Sequence, residues 1–165
     1  MEYCLGDADG SASMWTAEPD TDTDGDGVFD AVGLDLDGDG RVDDALADHD
    51  GDGLAEVGAR DLDDDDVAEA YVSDDGTGTW TLSVDRTGQV RWFGLDGVEH
   101  TGGPVVDIDA DGQVDDRLVD SDGNGLADRV FSGDTAHVDT DGDGRWDVRL
   151  SDGDGDGRAD AATGM

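Results

Sequence analysis

Apolar residues in this chain follow two patterns, and neither has helical spacing. The first is strict alternation. From Thr79 to Val84, Trp80, Leu82 and Val84 alternate with Thr81 and Ser83; after Asp85-Arg86-Thr87-Gly88 the same face continues with Val90 and Trp92. Period-two alternation predicts a half-buried antiparallel pair over 79–95. A shorter hairpin is predicted over 2–15. There Glu2-Tyr3-Cys4-Leu5 and Ser11 to Trp15 flank Asp7-Ala8-Asp9-Gly10, a D-x-x-G turn suited to a four-residue hairpin loop.

The second pattern has a period of thirteen. A unit D-x-D-x-D-G-x-x-(D/E), followed by four linking residues, starts at Asp22, Asp35, Asp48 and Asp61, and again at Asp107, Asp120, Asp139 and Asp152. Positions eight and twelve tend to be apolar: Phe29, Val42, Leu46, Val72, Val114, Leu118, Phe131, Trp146 and Leu150. In an extended segment these point one way and position nine points the other. Four linking residues span about 13 Å extended, or one helical turn, so paired helix-loop-helix hands are excluded. Each unit is therefore expected to be an acidic loop followed by a very short strand stacked on its neighbours, as in a solenoid. The prediction is a mainly β, partly irregular fold of tandem cation-stapled units plus two hairpins. Matching Gly10 with Gly88 makes the chain look duplicated, with a hairpin and four loops in 1–78 and again in 79–165. Two further features stand out: a six-residue insertion around Ser132 to His137, and a fifth unit that starts at Asp74 and fails.

The unit has a specific chemical meaning. Carboxylates at alternate positions, followed by a glycine that permits a sharp reversal, wrap oxygens around one hard cation. Calcium takes about six to eight oxygens in a forgiving geometry, and the EF-hand loop opens with this spacing. The side-chain ligands expected at position one are the eight starting aspartates. At position three they are Asp24, Asp37, Asp50, Asp63, Asp109, Asp122, Asp141 and Asp154. Position five supplies Asp26, Asp39, Asp52, Asp65, Asp111, Asn124, Asp143 and Asp156, and position nine Asp30, Asp43, Glu56, Glu69, Asp115, Asp128, Asp147 and Asp160. Position six is glycine in seven units; Asp66 departs. Zinc would prefer His and Cys, but His100 and His137 lie outside the loops and His49 sits between ligand positions. Magnesium demands a stricter octahedron.

Composition alone would point elsewhere. Leu, Ile, Val and Phe make up 31 of 165 residues and the net charge is −37, values typical of disordered chains. Acidity of that kind does not choose between carboxylates, yet there are 41 Asp and only 5 Glu, and the 32 ligand slots hold 29 of the Asp. A halophile-type surface, suggested by the absence of lysine, explains the charge but not the period. Bound dications would relieve the self-repulsion that opposes compaction. The charge disfavours nucleic acid, and no apolar run is long enough to span a membrane. Cys4 alone cannot build a disulfide framework and reads as a small buried hydrophobe. MEYCLGDADG has neither the basic start nor the apolar core of a signal peptide. Catalytic motifs are missing, so no enzyme is expected. Trp15, Trp80, Trp92 and Phe93 read as hairpin core before they read as a sugar or partner site.

In tandem, the unit resembles the aspartate-rich calcium repeats of the thrombospondin type 3 class and related repeats of bacterial surface proteins, over about 22–69 and 107–160. The resemblance implies calcium held at positions one, three, five and nine and by the carbonyl at position seven. That carbonyl belongs to Val28, Arg41, Leu54, Val67, Gln113, Leu126, Arg145 or Arg158. The acid usual at position twelve and the cross-linking cysteines are both missing. The first Asp of the following unit is expected to supply the missing oxygen, so that Asp35, Asp48, Asp61, Asp74, Asp120 and Asp152 each serve two ions. The expected role is a structural or adhesive module outside the cell or at its surface, with a protein or glycan partner; the alternatives are an intracellular high-capacity calcium buffer and a non-catalytic module of a secreted enzyme.

Overall fold

The computed structural model describes residues 1–7, 9–65 and 67–165. They contain strands and irregular segments but no helix, so no helix is long and apolar enough to cross a membrane. The chain forms two compact units, Met1–Gly88 and Gln89–Met165.

In the first unit a hairpin of β1 (Glu2–Gly6) and β2 (Ala12–Thr16) accompanies a five-stranded sheet. The sheet strands follow chain order: β3 (Ala31–Leu34), β4 (Asp44–Ala47), β5 (Val57–Arg60), β6 (Ala70–Ser73) and β7 (Leu82–Ser83). Every neighbouring pair is antiparallel. Neighbouring units of the sequence do lie side by side, but the chain reverses at each acidic loop. Successive loops therefore stand at opposite ends of the sheet. The four linking residues become one strand each, because four extended residues cross the sheet in about 13 Å.

The core is small. Tyr3 from the hairpin, Val32, Leu46, Ala55, Val72 and Trp80 form one buried cluster. The Trp80 indole N–H donates to the Cys4 carbonyl at 2.7 Å, and Arg60 Nη2 donates to the Trp80 carbonyl at 2.8 Å. Gly58 leaves room for this packing: a Cβ there would lie 2.9 Å from Val72 Cγ2 and 3.4 Å from Trp80 Cε3.

The second unit pairs β8 (Val90–Phe93) with β9 (Glu99–Gly102) and carries a six-stranded antiparallel meander. Its strands are β10 (Val105–Val106), β11 (Asp116–Val119), β12 (Arg129–Ser132), β13 (Thr135–Val138), β14 (Val148–Ser151) and β15 (Ala161–Gly164). Val90, Ile108, Leu118, Ala127, Val130 and Trp146 form its core, and the Trp146 indole N–H donates to the Phe93 carbonyl at 2.9 Å.

Several expectations change. The hairpin predicted over 79–95 does not form: β7 pairs with β6, and β8 pairs with β9 across a Gly94–Gly97 turn. The division therefore falls at Gly88, beyond the 78/79 boundary read from the sequence. Trp80, Leu82 and Val90 are buried as alternation predicts, but they do not share one face: Trp80 belongs to the first unit's core and Val90 to the second's, since alternation cannot say which strand completes a pair. The insertion is a two-residue turn, Gly133-Asp134, plus β13. A tight turn there replaces an acidic loop. Position eight is not uniformly inward: Trp146 and Ala55 are buried, whereas Phe29, Val42 and Val114 are exposed, as is Phe131 at position twelve. Trp15 is exposed too.

Candidate metal-binding loops

The acidic loops are organised by their own carboxylates. In the loop from Asp35 to Asp43, Asp35 accepts the N–H of Gly38 at 2.7 Å and of Gly40 at 3.0 Å, one on each oxygen. Asp37 accepts from the Asp39 N–H at 3.0 Å, and Asp39 from the Arg41 N–H at 2.8 Å. Such local bonds are the usual way short acidic side chains fix a turn. They require left-handed backbone at Gly38 (φ 81°) and Gly40 (φ 98°), which glycine adopts without steric cost. The position-one carboxylate grips positions four and six in the same way in the loops beginning at Asp22, Asp48, Asp120, Asp139 and Asp152. The N–H groups of Gly157 and Gly155 hold the Asp152 carboxyl below its usual range. The sequence reading singled out only position six, but position four is left-handed as well. Asp64 (φ 61°) and Ala110 (φ 62°) occupy it without being glycine. Asp66, the departure at position six, lies outside the described residues, as does Ala8 of the first turn.

A second set of bonds closes each loop. The position-two N–H donates to the position-nine carboxylate in six loops: Thr23 to Asp30 (2.9 Å), His49 to Glu56 (3.1 Å), Leu62 to Glu69 (2.7 Å), Ser121 to Asp128 (2.8 Å), Thr140 to Asp147 (2.8 Å) and Gly153 to Asp160 (2.8 Å). The other two loops bypass Asp43 and Asp115. There the acceptors are Asp44 and Asp116, each at 2.6 Å from the N–H of Leu36 or Ile108. Both are 2% exposed and each begins a strand. The sequence reading missed them, though a signal was present: only these two units carry an acid at position ten as well as nine. Displaced from closure, Asp43 and Asp115 have carboxyls pushed up, first by loss of hydration and then by neighbouring aspartates.

The third property is convergence. Asp48, Asp50, Asp52 and Glu56 each present an oxygen, all within 4.8 Å of one another, and so do Asp61, Asp63, Asp65 and Glu69. Asp22, Asp24 and Asp26 form such a group, as do Asp35, Asp37 and Asp39. A further group, Asp39, Asp43 and Asp64, draws on two loops, and Arg41 Nη1 lies 2.6 Å from Asp64 Oδ2 beside it. These acidic groups are positioned to bind metal ions. In the first of them Glu56 is distinctive. Its Oε2 accepts the His49 N–H, while its buried Oε1 has no hydrogen-bond partner among the described residues. Burial first, offset in part by the His49 N–H and reinforced by Asp48, Asp50 and Asp52, pushes the Glu56 carboxyl up to about 7.

Sharing of the next unit's first aspartate is not the geometry found. Asp61 follows the loop from Asp48 to Glu56 only after β5, at the other end of that strand. Asp74 is engaged elsewhere, accepting the N–H groups of Gly78 (2.7 Å) and Thr79 (3.1 Å). Its charge also helps push up the Cys4 thiol, after burial. Loops meet instead in alternate order: Asp24, Asp26, His49 and Asp50 line one hollow, and the Asp48 N–H donates to the Asp30 carbonyl at 3.0 Å. In the second unit the tight turn at Gly133-Asp134 brings two consecutive loops to the same end, and the Asp139 N–H reaches the Asp128 carbonyl at 2.9 Å. No protein-family model, curated protein or solved structure matches this chain.

Proposed function

We propose that this chain is a calcium-binding structural or adhesive protein, resembling the thrombospondin type 3 class in its loop chemistry, whose folded state is stabilised by several bound calcium ions. The observation that carries the reading is the Asp48–Asp50–Asp52–Glu56 group, with four converging carboxylates and one buried, unpartnered oxygen. A buried acceptor without a donor costs about 1–3 kcal/mol, and a cation among these oxygens removes that cost. All-carboxylate, glycine-turned loops of this size suit calcium, with its long and irregular coordination, better than magnesium. Ions at these loops also neutralise part of a net charge of −37, which otherwise opposes compaction. The surface role implies affinities of about 10⁻⁴–10⁻³ M, the range of extracellular modules, and a protein or glycan partner outside the cell.

Scanning calorimetry and circular dichroism with calcium and with chelator test the reading. A cooperative transition that disappears or drops steeply when the ion is removed is expected, since binding is coupled to folding. An unchanged melting point in chelator refutes it.

A further inference from the structure

The alternate-end arrangement brings the loop from Asp35 to Asp43 beside the loop from Asp61 to Glu69, and one buried side chain touches both. Asp44, 2% exposed at the start of β4, accepts the Leu36 N–H at 2.6 Å and the Asp37 N–H at 3.1 Å on Oδ2. Its Oδ1 accepts the Asp61 N–H at 3.0 Å. Both oxygens are thus committed to backbone, which makes Asp44 a holder of loops and not itself an ion ligand. The Arg41–Asp64 pair crosses the same gap. Asp116 is the matched case in the second unit: the same position ten and the same 2% exposure, but among the described residues its acceptor bonds run to Ile108 and Asp109, both of one loop.

We infer that Asp44 is a positioning residue that couples two ion-binding loops, so that its loss weakens two calcium sites where loss of a single-loop clamp weakens one. The inference rests on the calcium reading above. Outer groups that orient metal ligands typically alter affinity by about 10–100-fold when replaced. Here that effect is shared, because the N–H groups held by Asp44 belong to the first residues of both loops. Any shift of the carboxylate moves Asp37 and Asp61 together.

The test is a calcium titration of the full chain by amide NMR, with the wild type beside D44N, D116N and D30N. Gly38 and Gly40 report the Asp35 loop, Leu62 the Asp61 loop, and Gly51 and Gly53 the intervening Asp48 loop. D44N is expected to weaken binding at the Asp35 and Asp61 loops by about 10–100-fold and to spare the Asp48 loop. D116N should affect only the loop from Asp107, and D30N only the loop from Asp22. A D44N effect confined to the Asp35 loop, or spread equally over the Asp48 loop, overturns the coupling. Should D44N not fold, the wild-type curves decide. Gly40 and Leu62 moving together, more steeply than a single site, support the coupling; separate single-site curves overturn it. A wild type that binds no calcium refutes the calcium reading itself, whereas calcium binding without this pairing removes only the role of Asp44.

Discussion

Backbone strain and proton competition are the two effects that single residues bring to these loops. Ala110 holds φ 62° at a position where its counterparts in six loops are glycine. A Cβ in left-handed backbone costs about 1–2 kcal/mol, so Ala110→Gly should raise the denaturation midpoint, less the entropy that glycine adds to the unfolded chain. Chemical denaturation in calcium checks this; a lower midpoint would mean that the backbone there carries no strain. Glu56 sets a pH dependence. Its carboxyl titrates at about 7 in the folded, metal-free protein, against 4.5 ordinarily. A raised carboxyl binds its proton more tightly when folded, so its stabilising effect is full below 4.5 and is lost as pH rises towards 7. Calcium needs the carboxylate, so binding at the Asp48 loop should weaken as pH falls below about 7. Calcium titrations at pH 6 and 8 read the effect, and Glu56→Gln should abolish the pH dependence at that loop.

Strands of four residues carry little packing of their own, so each element depends on a few close contacts. Gly58 on β5 sits beneath Val72 and Trp80. Gly58→Ala forces a methyl group to within 2.9 Å of Val72 Cγ2 and should cost about 1–3 kcal/mol, the usual range for overpacking. The melting temperature of the variant in calcium measures it, and an unchanged value would show that the cluster yields freely. The Trp80 indole bond to Cys4 ties the first hairpin to its sheet, and Trp146 does the same for Phe93 in the second unit. Trp80→Phe keeps most of the apolar area but leaves the Cys4 carbonyl unpaired. A loss of about 1–3 kcal/mol is expected, read as faster amide exchange in β1.

At the scale of the molecule, electrostatics opposes the fold. Forty-six acids face nine arginines, and burial is confined to small clusters in each unit. Monovalent salt should therefore raise the melting temperature of the metal-free protein by screening, since at 0.15 M charges more than about 8 Å apart hardly interact. Millimolar calcium should do so far more strongly than an equal ionic strength of sodium chloride. Equal effects of the two salts would reduce calcium to a counterion.

The sequence by itself determined the acidic loops, their thirteen-residue spacing and the all-β class, because each is a local matter. An Asp-Gly turn is closed by bonds within nine residues, and four linking residues whose apolar positions alternate with position nine leave room for no more than a short strand. Only the tertiary structure decided which strands pair, which loops become neighbours and which acid closes a loop. Trp80, Leu82 and Val90 were legible as buried positions, but β6 captures β7 and leaves β8 to β9, so Trp80 and Val90 end in different cores. Asp43 and Asp44 are chemically identical in the chain. The strand register alone turns Asp44 inward, to backbone donors in two loops, and leaves Asp43 beside Asp39 and Asp64. Pairing and register are long-range choices made by burial; the doubled acid at positions nine and ten marks the place in the sequence but not which of the two turns inward.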